Sequence, residues 1–205
     1  MTGVSPSMEP LRAEFGPGIV RHLESCGDAV VYVARDRAHD VLAWLKDAPG
    51  QEFNYLTDVT AVEYRDPERP LEVVWQLRSL GRKADLRVKA ELDRGEPLVV
   101  RSVWDLWHGA DWLEREVFDM FGISFTGHPD LRRILMWETY AEGHPLRKDF
   151  PLRGHFSRAE QTRQALGANP EAHYSMDELS IAEAFDELPA DMRERLARGE
   201  RGFLT

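Results

Sequence analysis

The sequence predicts an α+β protein: a two-layer domain with helices on a mainly antiparallel sheet, then an extended docking arm and a short helical tail. Residues 71–78 and 86–93 carry the first observation. Leu71, Val73, Trp75 and Leu77 alternate with Glu72, Val74, Gln76 and Arg78, and Leu86, Val88, Ala90 and Leu92 alternate with Arg87, Lys89, Glu91 and Asp93. Such period-2 alternation describes strands packed on one face and wet on the other, the habit of antiparallel sheets. The second observation is helix-period apolar spacing on both sides of those strands, which supplies a covering layer. The third is residues 112–152, rich in charge and aromatic rings, with two Gly-His-Pro turns sixteen positions apart and almost no alternation. A long irregular segment in a compact chain is functional or docked on something. The boundaries follow as residues 1–125 for the domain, 126–156 for the arm and 157–205 for an acidic helical tail.

In chain order, Leu11, Phe15, Ile19 and Leu23 form one helical stripe, interrupted at Gly16-Pro17-Gly18. Ala29 to Val33 is a short β-branched strand, and Ala38, Val41, Leu42 and Leu45 mark a helix ending near Pro49-Gly50. Residues 53–64 read as a strand with room for a helical turn at its start, closed by the turn Asp66-Pro67-Glu68. The loop Gly81-Arg82-Lys83 joins the two alternating strands as a hairpin. Asp111 and Glu114 then read as a capping box, satisfying two orphan backbone donors at a helix start. Leu113, Val117, Met120 and Phe121 share that helix's apolar face, Arg115 and Asp119 stand at i, i+4, and Gly122 ends it. In the tail, the runs beginning at Ser175 and Ser180 are two further capping boxes; Ile181, Phe185 and Leu188 share a face, and Met192 with Leu196 forms a second short helix beyond Pro189.

Composition excludes several function classes. A chain of 205 residues holds one core plus an arm, and its hydrophobic fraction of 42% is globular. No apolar run reaches the roughly 20 residues that cross a bilayer, and the start, MTGVSPSMEP, has neither the basic nor the apolar region of a secretory signal. The one cysteine, Cys26, permits neither an internal disulfide nor an all-cysteine metal site, and it is expected to be an ordinary buried or half-buried thiol. The formal charge of −10 argues against nucleic-acid binding. That charge is uneven: residues 127–163 carry seven Lys/Arg against five Asp/Glu, while residues 164–205 carry four against nine. A locally basic arm on an acidic chain fits an acidic protein surface, although basic patches are often simply solvated.

No catalytic motif emerges. His128, His144 and His155 with Asp119 and Asp149 could be assembled into a metal or acid–base site, but no HExxH or His-Cys spacing supports it, and a histidine between glycine and proline serves a turn more often. Ser124 and Ser157 lie in no nucleophile elbow, and the glycines form no phosphate cradle. Trp104, Trp107 and Trp112 are either core residues or an aromatic seam where the arm leaves the domain. Arg132, Arg133, Arg147 and Lys148 lie on an arm with few core-type residues, which favours an interface over plain solvation.

The run Glu114-Arg115-Glu116, then Asp119-Met120-Phe121, then His128, Arg132, Arg133, Ile134 and Leu135, resembles a family signature. It is that of the C-type subunit of respiratory complex I, the proton-pumping NADH:quinone oxidoreductase, and its relatives. The later GHPLRKDFPL, with His144, Arg147, Lys148 and Asp149, is similar to the family's second block, and residues 53–64 and 104–111 also look familial. The likeness fades at Gly154-His155. It implies a non-redox scaffold in the hydrophilic arm of the complex, docked beside the quinone-reducing module on the larger D-type subunit and near the B-type one. It further implies a peripheral place on the cytoplasmic side of the inner membrane, touching the membrane only through the complex. No cofactor, catalytic or metal site is then expected in this chain; iron–sulfur clusters, flavin, NADH and quinone belong to the neighbouring chains. The same blocks occur in subunits of related membrane-bound hydrogenases and ferredoxin- or deazaflavin-driven dehydrogenases. An independent soluble enzyme using the histidines is the remaining alternative.

Overall fold

A computed structural model describes residues 7–168 apart from Pro67. Contacts divide the chain into two units, Met1–His155 and Phe156–Thr205. In the first, helix α1 (Met8–Phe15) leads into strands β1 (Ile19–Ser25) and β2 (Asp28–Val33), helix α2 (Ala38–Asp47), and strands β3 (Tyr55–Val62), β4 (Leu71–Ser79) and β5 (Ala84–Leu92). Short strands β6 (Val99–Arg101) and β7 (Ser124–Thr126) flank helix α3 (Ala110–Phe121). The second unit begins with helix α4 (Arg158–Ala168), which buries no side chain. The expected helices at residues 175–196 lie outside the described residues.

The main sheet has the order β1-β2-β5-β4-β3, antiparallel except for β2 beside β5. The predicted hairpin forms in a register that sets Leu71 opposite Leu92, Val73 opposite Ala90 and Trp75 opposite Val88. These residues, with Val31 and Val33 from β2, join Leu11, Leu42, Leu45, Val117 and Phe121 from the three helices in one core. The two-layer α+β reading therefore holds. The expected stripe from Leu11 to Leu23 does not stay helical: α1 stops at Phe15, Gly16 takes φ +46° beside Pro17, and Ile19 begins a strand. Glycine tolerates that left-handed value and proline has no N–H to continue the helix.

Two expectations are corrected. Cys26 is exposed, because it sits with Gly27 in the two-residue β1–β2 turn. Both residues have positive φ (56° and 88°), the geometry of the primed turns that match strand twist. The sheet's second face is also not uniformly wet. Glu72 is 1% exposed and collects the Tyr64 hydroxyl at 2.9 Å, the Tyr32 hydroxyl at 3.3 Å and the Lys89 ammonium at 2.7 Å. Three donors, from β2, from β5 and from the segment just after β3, converge on one carboxylate, which offsets the cost of removing it from water.

Candidate functional site

Helix α3 holds much of the segment that follows it. It starts earlier than the capping-box reading placed it, with Gly109 at the N-cap, so Asp111 lies within its first turn and Glu114 is free for another role. Glu114 is fully buried and accepts the Ser102 hydroxyl at 2.6 Å and the Val103 amide at 2.8 Å. Ser102 itself accepts the Trp104 amide at 3.1 Å, so its own proton points to Glu114. The carboxylate thus pins the strand leaving β6 to α3. Arg115 and Asp119 do not pair with each other. Arg115 donates to the carbonyls of Arg132 (3.1 Å) and Arg133 (3.0 Å), while Asp119 accepts the Arg133 guanidinium at 2.6 Å and the amides of Ile134, Leu135 and Met136 at 3.1, 2.8 and 2.8 Å. A helix-surface pair stabilises by a few tenths of a kcal/mol, whereas a buried carboxylate serving four donors fixes a whole loop.

Histidines complete the clamp. His128 donates from Nε2 to the Asp111 carbonyl at 3.1 Å and accepts the Asp130 amide on Nδ1 at 3.0 Å. His144 donates from Nδ1 to the Asp119 carbonyl at 2.9 Å, and its ring lies over Gly122. A Cβ on Gly122 would stand 2.6 Å from that ring, and its φ is +76°; the helix stop is glycine for both reasons. His155 donates its amide to Glu142 at 2.9 Å. Among the described residues no group of three or more His, Cys, Asp or Glu is placed to hold an ion. His144 and His155 instead line an open cavity of about 500 Å³ with Phe121, Glu142, Arg147 and Asp149.

The second Gly-His-Pro block is held by Glu63, which sequence reading missed. Its carboxylate, 1% exposed, takes the Lys148 amide at 2.6 Å and ion-pairs with Arg94 at 3.0 Å and Arg147 at 3.5 Å. Parity could have found it: Glu63 follows the buried Val59 and Ala61 at spacing two, a carboxylate in an apolar row. The arm is therefore fastened within the first unit by the carboxylates of Asp119 on α3 and Glu63 just after β3. It turns Arg132, ion-paired to Asp130, outward together with Lys148 and Asp149, and Glu116 on α3 is exposed as well. Trp112 (66% exposed), Leu135, Leu146 and Leu152 face outward beside them. Of the three tryptophans near the arm, Trp107 is core and Trp112 is surface.

Burial pushes the Glu114 carboxyl up to about 7, with Asp105 and Asp111 adding repulsion that the Ser102 and Val103 hydrogen bonds only partly offset. An acid raised in the folded state binds its proton more tightly there, so its burial is free of charge cost below the ordinary value of 4.5. Stability is then lost as pH rises towards 7. Over that window the loss amounts to about 3 kcal/mol. Glu114→Gln keeps an acceptor for the Val103 amide and removes the titration. Denaturant unfolding at pH 5 and pH 8 should show the wild-type decline and its near-absence in the variant; equal slopes would place the titrating group elsewhere.

Comparison with known proteins shows the family and the fold. The family model described as respiratory-chain NADH dehydrogenase, 30 Kd subunit, matches residues 31–156. A C-type subunit of the NADH-quinone oxidoreductase of Rhizobium etli is 44% identical over 155 residues, covering 74% of this chain and 81% of that protein. The C-type subunit of the same oxidoreductase in a Roseiflexus species is 46% identical over 145 residues, covering 71% and 82% respectively. Among solved structures, a trypsin-resistant fragment of Nqo5 superposes with a TM-score of 0.52 at 32% identity, covering 61% of this chain and 96% of the fragment. A chain of the archaeal membrane-bound sulfane sulfur reductase, a respiratory membrane complex, shares the fold at TM-score 0.60 and 21% identity over 77% of this chain and 88% of that one. The matched span runs from β2 to the end of the clamped arm, so the chain belongs to the 30 kDa subunit family of respiratory-chain NADH dehydrogenase.

Proposed function

We propose that this chain is a non-redox scaffold of a proton-translocating NADH:quinone oxidoreductase. It docks through its clamped arm beside the quinone-reducing module on the D-type subunit and close to the B-type one. Family membership over residues 31–156 carries the proposal. The arm's construction supports it: a loop from Gly127 to His155 without helix or strand is locked by Asp119 and Glu63, yet turns Leu135, Leu146 and Leu152 outward. A surface loop gains nothing by ordering exposed leucines unless another surface covers them. The sole cysteine cannot ligate an iron–sulfur cluster by itself, so electron carriers belong to neighbouring chains of the complex. No described helix is long and apolar enough to cross a membrane. Attachment to the cytoplasmic side of the inner membrane is therefore proposed to run through the complex.

Relatives at 44% and 46% identity are named for NADH-quinone oxidoreductase, while the likeness to the sulfane sulfur reductase is one of fold; the NADH-linked reading is therefore preferred over a hydrogenase-type relative. Affinity purification of the tagged chain from native membranes tests this. Flavin- and NADH-binding subunits, with the B- and D-type subunits, should co-purify, and deleting the gene should abolish NADH:quinone activity of the membranes. Recovery of hydrogenase subunits in their place would transfer the chain to the related complexes. Recovery of the chain alone, with turnover of its own, would make it an independent enzyme.

A further inference from the structure

A groove of about 690 Å³ runs along the second Gly-His-Pro block, lined by Arg65, Leu146, Arg147, Lys148, Phe150, Leu152 and two prolines. It contains three cationic side chains and no carboxylate, on a chain whose formal charge is −10. Arg147 pairs with Glu63 beneath it at 3.5 Å and with the exposed Asp149 at 3.8 Å. Arg65 and Lys148 are exposed, and neither makes an ion pair among the described residues. Between them Leu146 is 49% exposed and Leu152 wholly so.

The groove is built in advance. Leu146 donates its amide to Met120 at 3.0 Å, Lys148 to Glu63 at 2.6 Å and Phe150 to Arg147 at 3.1 Å, so the backbone that presents these side chains is tied to α3 and to the end of β3. Ordering costs are met in the free protein, which favours tight association. Two unpaired cations flanking exposed leucines select an occupant that is acidic and partly apolar. An anionic bilayer is disfavoured, because the whole chain would be repelled from it.

We infer that this groove receives an acidic segment of a neighbouring protein chain of the complex, its carboxylates meeting Arg65 and Lys148 while an apolar side chain packs on Leu146 and Leu152. The inference rests on the scaffold reading and names the chemistry of the partner at that site.

Zero-length carbodiimide coupling in the intact complex tests it, because the reagent joins an amine to a carboxylate already in contact. Lys148 should be found joined to an Asp or Glu of another oxidoreductase subunit. Lys148→Arg, which keeps the charge but lacks the amine, should assemble normally and lose that product. Arg65→Glu with Lys148→Glu should lower assembled complex about tenfold at ~150 mM salt, with the isolated chain melting as wild type. Arg65→Gln with Lys148→Gln adds no repulsion and carries the comparison should the reversed chain melt early. Coupling to a second copy, to the chain's own acidic residues or to lipid overturns the inference. Absence of any coupled product, or normal assembly of the reversed and neutral variants, does so as well. If the wild-type chain does not co-purify with NADH-quinone oxidoreductase subunits at all, the scaffold reading itself fails; if it does and only the variants are silent, the groove alone is wrong.

Discussion

Val88→Asp is expected to leave the first unit unfolded at 25 °C. Val88 is 0% exposed, opposite Trp75 on β4 and beside Val31 on β2, with apolar neighbours on that face of the sheet. Trp75, its cross-strand neighbour, has a buried indole N–H without a partner, but a single neutral donor does not compensate a carboxylate, and a poorly paired buried charge costs several kcal/mol, a large part of the roughly 5–15 kcal/mol that holds a domain together. Alternation alone would make Lys89→Asp harmless, yet the structure makes it damaging too. The Lys89 ammonium donates to Glu72, which is 1% exposed, and aspartate would set a second carboxylate against that buried one. Removing one partner of a buried pair costs about 3–5 kcal/mol, and the added repulsion increases it. Circular dichroism melts of both variants and of Lys89→Met decide the matter. Methionine keeps the stem's packing without the like charge, so it should be the mildest of the three. Wild-type melting for Lys89→Asp would mean that Glu72 is not committed to Lys89 in solution.

This pair of neighbours shows what local pattern can and cannot reveal. Side-chain parity is a property of the strand itself, so the β4–β5 hairpin and its core face were legible from residues 71–93. The parallel pairing of β2 with β5 was not, because it depends on contacts some sixty residues apart, such as Val31 with Val88. Nor were β6 and β7, three residues each, too short to display a period. The same limit governs the candidate site. Asp111, Glu114, Arg115 and Asp119 have the spacing of a capping box and an i, i+4 pair, and sequence alone assigns them to their own helix. Glu114, Arg115 and Asp119 instead find their partners in Ser102, Val103 and the backbone of residues 132–136. Charged groups on a core-facing helix face bond outside the helix because burial leaves no water to satisfy them. The family resemblance named these residues as a signature; the structure shows Arg115, Asp119, His128, Arg133, His144 and Arg147 engaged in holding the arm, while Glu116, Arg132, Lys148 and Asp149 are exposed.

Asp119→Ala is expected to release the arm while leaving α3 helical. The substitution favours the helix itself, since alanine is the better helix former by up to about 0.7 kcal/mol. Any loss therefore comes from outside the helix. Asp119 is 0% exposed, and four donors converge on it: the Arg133 guanidinium, 14% exposed, and the amides of Ile134, Leu135 and Met136. Alanine leaves all four without that acceptor, and breaking such a buried pair costs about 3–5 kcal/mol. For a unit of this size that lowers the melting temperature by on the order of 10 °C. Asp119→Asn, which keeps one oxygen and loses the charge, should fall between the two. The wild type carries a matching acid signature. Burial alone would raise the Asp119 carboxyl, but the amides of Met136, Leu135 and Ile134 with Arg133 hold it below the ordinary value of 3.8. A depressed carboxyl contributes its stability above that ordinary value and loses it as pH falls through the lower folded one, so the arm should loosen only in strong acid. Hydrogen exchange at residues 134–136 reads the event directly. Those amides should exchange far faster in Asp119→Ala while the amides of Val117 and Phe118 stay protected. Unchanged protection at residues 134–136 would show that the arm is held by Arg115, His128 and His144, with Asp119 dispensable.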